Sequence, residues 1–94
     1  ALGQLGQSDE AMQAFRRAIL LRPDFAEARA NLGLALQQKG LLAEAINEFR
    51  AALDARPTFA EAHNALGFAL GQTGNIEAAI AEFEAAIKLK PDFH

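Results

Sequence analysis

A period of 34 residues runs through this chain and constrains everything else about it. Pro23, Pro57 and Pro91 stand 34 apart, as do Gly6, Gly40 and Gly74. Phe25, Phe59 and Phe93 keep the same spacing, and so do Phe15, Phe49 and Phe83. Residues 26–59 align with 60–93 without a gap and agree at 17 of 34 positions. Repetition at this spacing means stacked supersecondary units, none of which can bury its apolar face alone.

Each unit reads as two helices. Leu42, Ala45, Ile46, Phe49, Ala52 and Leu53 follow the i, i+3, i+4, i+7 spacing of one helix face. Ile76, Ala79, Ile80, Phe83, Ala86 and Ile87 repeat it, and so do Ala11, Met12, Phe15, Ala18 and Ile19. The companion helix carries Ala28, Leu32, Ala35 and Leu36, then Ala62, Leu66, Ala69 and Leu70. Composition agrees. There are 22 Ala and no Val, and β-branched residues are limited to five Ile and two Thr, which suits close-packed helices and not a sheet.

Boundary chemistry is also periodic. Gly6, Gly40 and Gly74 are expected to stop helices, since glycine tolerates the left-handed position just past a helix end. Asp24 with Glu27, and Thr58 with Glu61, are spaced as capping boxes. Ser8 and Asn75 are candidate caps of the helices that follow, whereas the stretch after Gly40 offers no polar cap. Each Pro closes a unit, because it lacks an N–H and restricts the residue before it.

This pattern resembles the tetratricopeptide repeat, a 34-residue helix–turn–helix with Leu-Gly in its first helix, Ala-x₃-Phe in its second and a closing Pro. The matching residues are Leu32-Gly33, Ala45, Phe49 and Pro57, then Leu66-Gly67, Ala79, Phe83 and Pro91, with Ala11, Phe15 and Pro23 in a partial first copy. The family's Trp position holds Arg29 and His63, and its Tyr position Leu36 and Leu70. The resemblance implies an all-α, right-handed solenoid of about two and a half repeats. It divides a single domain, 1–94, into a partial repeat 1–25 and full repeats 26–59 and 60–93. The ends read as cuts through a longer array.

Several functions are excluded or disfavoured. Without Cys there is no disulfide, thiolate metal site or cysteine nucleophile. A net charge of −3 and the lack of a basic stripe speak against nucleic acid. No apolar run reaches the roughly 18 residues of a membrane span. Glu44 and Glu48 lie on one helix face with no His nearby, and Glu84 with Lys88 is an ordinary i, i+4 pair. His63, at the Trp position, suits packing better than metal ligation. Neither catalysis nor a cofactor or metal is expected.

What remains is recognition. Leu34 lies about 200° around the helix from Leu32, away from the Leu-Gly face, and Phe68 stands in the same relation to Leu66. The resemblance implies that this face of the first helix lines a concave groove that holds peptides of a partner protein. The candidate groove residues are Glu27, Asn31, Leu34, Gln37, Gln38, Glu61, Asn64, Phe68 and Gln72. With no Lys or Arg among them, a clamp for a partner's terminal carboxylate is not expected. The alternative is a substrate-selecting array of a larger enzyme. The Phe after each Pro is similar to arrays of protein O-glycosyltransferases, but their Asn ladder breaks after Asn31, where the next rung is Ala65. Self-association through uncapped ends is a further expectation. Ile87, Leu89 and Phe93 would meet the face around Met12, Phe15 and Ile19 head to tail, with two-fold pairing or an exchange of terminal helices as the competing outcome.

Overall fold

The computed structural model describes residues 2–90, with side chains from residue 9 onward. Among them are five helices and no strand: α1 (Leu2–Leu21), α2 (Ala26–Gln38), α3 (Leu42–Ala55), α4 (Ala60–Gln72) and α5 (Ile76–Leu89). Helices α2 and α3 form one antiparallel pair and α4 and α5 the next, with α1 packed on α2 and α3 on α4. This is an all-α helical repeat solenoid, as the 34-residue period requires.

The turns within pairs are built by glycine. Gly40 and Gly74 adopt φ of 83° and 89°. The N–H of Gly40 donates to the Gln37 carbonyl and that of Leu41 to the Leu36 carbonyl, at 3.0 and 2.9 Å. Gly74 and Asn75 repeat both bonds onto Gly71 and Leu70. This double bond pattern satisfies carbonyls that a helix end leaves free, and it needs a left-handed residue at its centre.

The turns between pairs are built by proline. Phe25 N–H donates to the Arg22 carbonyl, and Phe59 N–H to that of Arg56, each closing a four-residue turn with Pro second. Arg56, ahead of Pro57, is extended at φ −145°, ψ 85°, as the ring of the following residue demands. Across each turn the guanidinium stacks on the aromatic ring: Arg22 over Phe25 at 4.9 Å and Arg56 over Phe59 at 5.0 Å.

This geometry corrects the expected caps. The proline turn consumes Asp24 and Thr58, so the N-cap positions fall to Phe25 and Phe59, and no side-chain cap bond forms. Asn75 occupies the N-cap of α5 but also makes no side-chain cap bond. Gly6 does not stop a helix either, and α1 runs through it and through Ser8.

The core is thin and continuous. Leu32, Leu36, Ala45, Phe49, Leu66, Ala69, Leu70 and Ala79 are buried together. Phe49 is 0 % exposed and fills the space beside Gly33. A second cluster of Ala26, Ala30, Ala52 and Ala62 lets adjacent units approach closely. No buried polar side chain is left without a partner among the described residues.

Candidate functional site

The candidate groove is the exposed side of α2 and α4. These helices are buried through Leu32, Leu36, Leu66 and Leu70, so the opposite faces meet solvent. Leu34 is 44 % and Phe68 56 % exposed, at equivalent positions of adjacent units. Asn31, Gln38, Asn64 and Gln72 are exposed around them, and Gln37 is half-buried. The Nε2 of Gln37 donates to Oε1 of Gln72 at 2.9 Å, which ties α2 to α4 on this side. Large apolar side chains bordered by amides form a surface that can take apolar side chains and hydrogen-bond a backbone.

Glu27 and Glu61 are exposed as well, but both have partners in the chain. Glu27 faces Arg56 at 3.6 Å and Glu61 accepts from Lys90 Nζ at 2.8 Å. These pairs join the start of each first helix to the residue that closes the same unit. The Lys90 hydrogen bond holds the Glu61 carboxyl below its ordinary value, with the charges of Lys90 and Arg56 acting the same way. The stabilisation is therefore present above the ordinary carboxylate range and lost as pH falls through the lowered value. Substituting Lys90→Met is expected to move the Glu61 titration upward, read from its carboxyl carbon by NMR. An unmoved midpoint would show that the bond has no hold on it.

Arg29 and His63 belong to the frame of the repeat. Arg29 Nε donates to the Pro23 carbonyl at 2.9 Å, and Nη1 reaches Glu48 at 3.2 Å. His63 places Nε2 3.1 Å from the Pro57 carbonyl and Nδ1 2.7 Å from Glu82. Each side chain thus joins the proline turn before its helix to the second helix of its own unit. The sequence carried a signal for this, since Glu48 and Glu82 are 34 apart and each lies 19 residues after its partner. A third link, Lys39 to Asp9, ties α2 to α1.

The end faces differ from expectation. Met12 is 6 % exposed and buried in the core with Leu32 and Leu36, and Ile19 packs against the same cluster. Met12 is the counterpart of Ile46, which faces the first helix of the following unit. Helix α2 supplies that helix, so Met12 and Ile19 are not on the open N-terminal face. Phe15 packs against the same cluster but is only half-buried, as are Ala11 and Ala18. Their counterparts Phe49, Ala45 and Ala52 are closed off by α2. Leu20 and Leu21 are 82 % and 84 % exposed. At the other end, Ile76, Ile80 and Ile87 are open, while Leu89 lies about 200° around the helix from Ile87. Phe93 lies outside the described residues.

Comparison with known proteins places this geometry. The family description "TPR repeat" matches residues 1–40 and 38–74, and "Tetratricopeptide repeat" matches 60–93. The fold is similar to a crystal structure of MamA, with a TM-score of 0.86 and 26 % identity over 94 % of this chain and 52 % of that one. It is also similar to YrrB, described as a TPR protein with an unusual peptide-binding site. There the TM-score is 0.84 and identity 32 %, over 97 % of this chain and 47 % of that one. The chain therefore spans about half the length of these two proteins. No curated protein sequence matches it significantly. Repeat spacing, paired helices and family matches over the whole length agree, and the chain belongs to the tetratricopeptide repeat family.

Proposed function

We propose that this chain is a protein-interaction scaffold that holds a peptide segment of a partner along the exposed side of α2 and α4. The observation that carries the reading is the pair Leu34 and Phe68, exposed at equivalent positions and bordered by Asn31, Asn64, Gln38 and Gln72. Charge on these helices is already committed. Their one Arg, Arg29, is turned to Glu48, and Glu27 and Glu61 have cationic partners. The peptide suited to this surface presents apolar side chains, not a cluster of carboxylates. YrrB supports the reading as a similar fold with a peptide-binding site.

The test is a random-peptide display selection on the wild-type chain, followed by fluorescence anisotropy of the selected peptides. Leu34→Glu combined with Phe68→Glu is expected to weaken binding by about tenfold or more, since carboxylates would replace the apolar contacts. Both positions face solvent, so the helical circular dichroism signal is expected to persist. Unchanged binding by a folded double variant removes the role of this surface.

A further inference from the structure

We propose that the Gln37–Gln72 pair reads one amide group of the bound segment, a subsite that rests on the groove reading above and adds polar specificity to it. The pair closes one end of a slot between α2 and α4, which are in direct contact. Gln72 reaches α2, so its flank of α4 faces that helix, and Ala65, two turns earlier, lies on the same flank. Ala30 stands in the same relation to Gln37 on α2. The floor of the slot is therefore two methyl groups, Ala30 buried and Ala65 half-buried, and exposed Leu34 and Phe68 are its walls.

The bond between the two amides fixes what the pair can accept. Gln37 donates through Nε2 to Oε1 of Gln72 at 2.9 Å. Among the described residues, Oε1 of Gln37 and Nε2 of Gln72 make no other hydrogen bond. One acceptor and one donor are thus left for a ligand. Their complement carries an N–H and a C=O together: a peptide bond of the segment, or the carboxamide of an Asn or Gln side chain. A carboxylate offers no donor and an ammonium no acceptor. The two side chains already hold each other, which lowers the entropy cost of the contact. The repeat itself does not call for the pair, since the positions one unit before and one unit after Gln37 are Gly3 and Gly71. The slot takes an apolar side chain of the segment, and the amides fix the register of the group beside it.

Fluorescence anisotropy of peptides selected on the wild-type chain tests the proposal. Gln37→Met combined with Gln72→Met keeps side-chain length and helix propensity but removes both polar groups. This variant is expected to bind about threefold to tenfold more weakly, with the helical circular dichroism signal intact. An ester in place of one peptide bond, or Ala in place of one Asn or Gln of the peptide, is expected to cost the wild type a similar factor. The same change is expected to cost the Met variant nothing more. Sensitivity to the ester identifies the backbone as the source of the amide, and sensitivity to Ala a side chain. Weakening by Leu34→Glu with Phe68→Glu, but unchanged binding by the Met variant, keeps the groove and overturns the amide subsite. A weakened Met variant that still shows the full ester and Ala losses also overturns it, since the pair would then act through the fold alone. Unchanged binding by the Glu variant overturns both readings.

Discussion

Phe49→Ala is expected to destabilise the chain by about 3–5 kcal/mol, the range for removing a fully buried aromatic ring. A domain of this length has a total stability of only about 5–14 kcal/mol, so the variant would stand near the edge of folding. The reason is position. Phe49 is 0 % exposed, packs against Gly33 of α2 and belongs to the cluster that also holds Leu66, Ala69 and Leu70 of α4. One ring therefore joins two units. Phe83 is its counterpart in α5 but is only half-buried, since among the described residues no helix covers its far side. Phe83→Ala is expected to cost roughly half as much, because less area leaves water on folding and the gap opens toward solvent. Urea unfolding followed by circular dichroism gives both values. Equal losses at the two positions would mean that the ring's second neighbour contributes nothing.

What the sequence made legible was whatever the 34-residue period repeats. Helix number, pairing, the Gly40 and Gly74 turns and the burial of Phe49 follow from spacing, because a repeat array must place equivalent residues in equivalent surroundings. The period misled where a local cause outweighed it. Gly6 has the spacing of Gly40, yet α1 continues through it. Asp24 and Thr58 have the spacing of caps, yet the turn led by Pro23 or Pro57 needs them as its third residue. That competition is between two uses of one backbone position, and a pattern search that scores caps alone does not see it.

The candidate site was legible in part for the same reason. Leu34 and Phe68 were placed on the solvent side by helical geometry, and they are exposed. What spacing could not give was depth of burial against a second helix. Met12, Phe15 and Ile19 sit close together on α1 and all belong to or pack against the core that α2 completes, yet Met12 is buried while Phe15 and Ile19 stay half-buried. Only the neighbour in place distinguishes them. Likewise the Gln37 to Gln72 bond spans 35 residues, one more than the period, so comparing equivalent positions would not pair them.

Gly33→Ala is the second large effect, and its sign separates packing from helix propensity. In an isolated helix the change would stabilise by about 1 kcal/mol. Here an added Cβ would stand 2.6 Å from Cε1 of Phe49, 2.8 Å from Cδ1 and 3.0 Å from Cζ. The ring is enclosed, so relief requires α2 and α3 to move apart, at an overpacking cost of about 1–3 kcal/mol. We expect the cost to win, with a net loss of about 1–2 kcal/mol after the propensity gain. Gly67→Ala meets Phe83 at 2.8 Å and the Ala79 carbonyl at 3.0 Å. The Phe83 ring is half-buried and can shift toward the open face, so the loss there is expected to be smaller. Coupling supplies the decisive check. Phe49→Leu in the Gly33→Ala background makes room for the new methyl, so the two losses should sum to at least about 0.5 kcal/mol more than the double variant shows. Urea midpoints of the four proteins measure this, and strictly additive losses, or a Gly33→Ala variant more stable than wild type, would refute the close approach as the reason for glycine at this position.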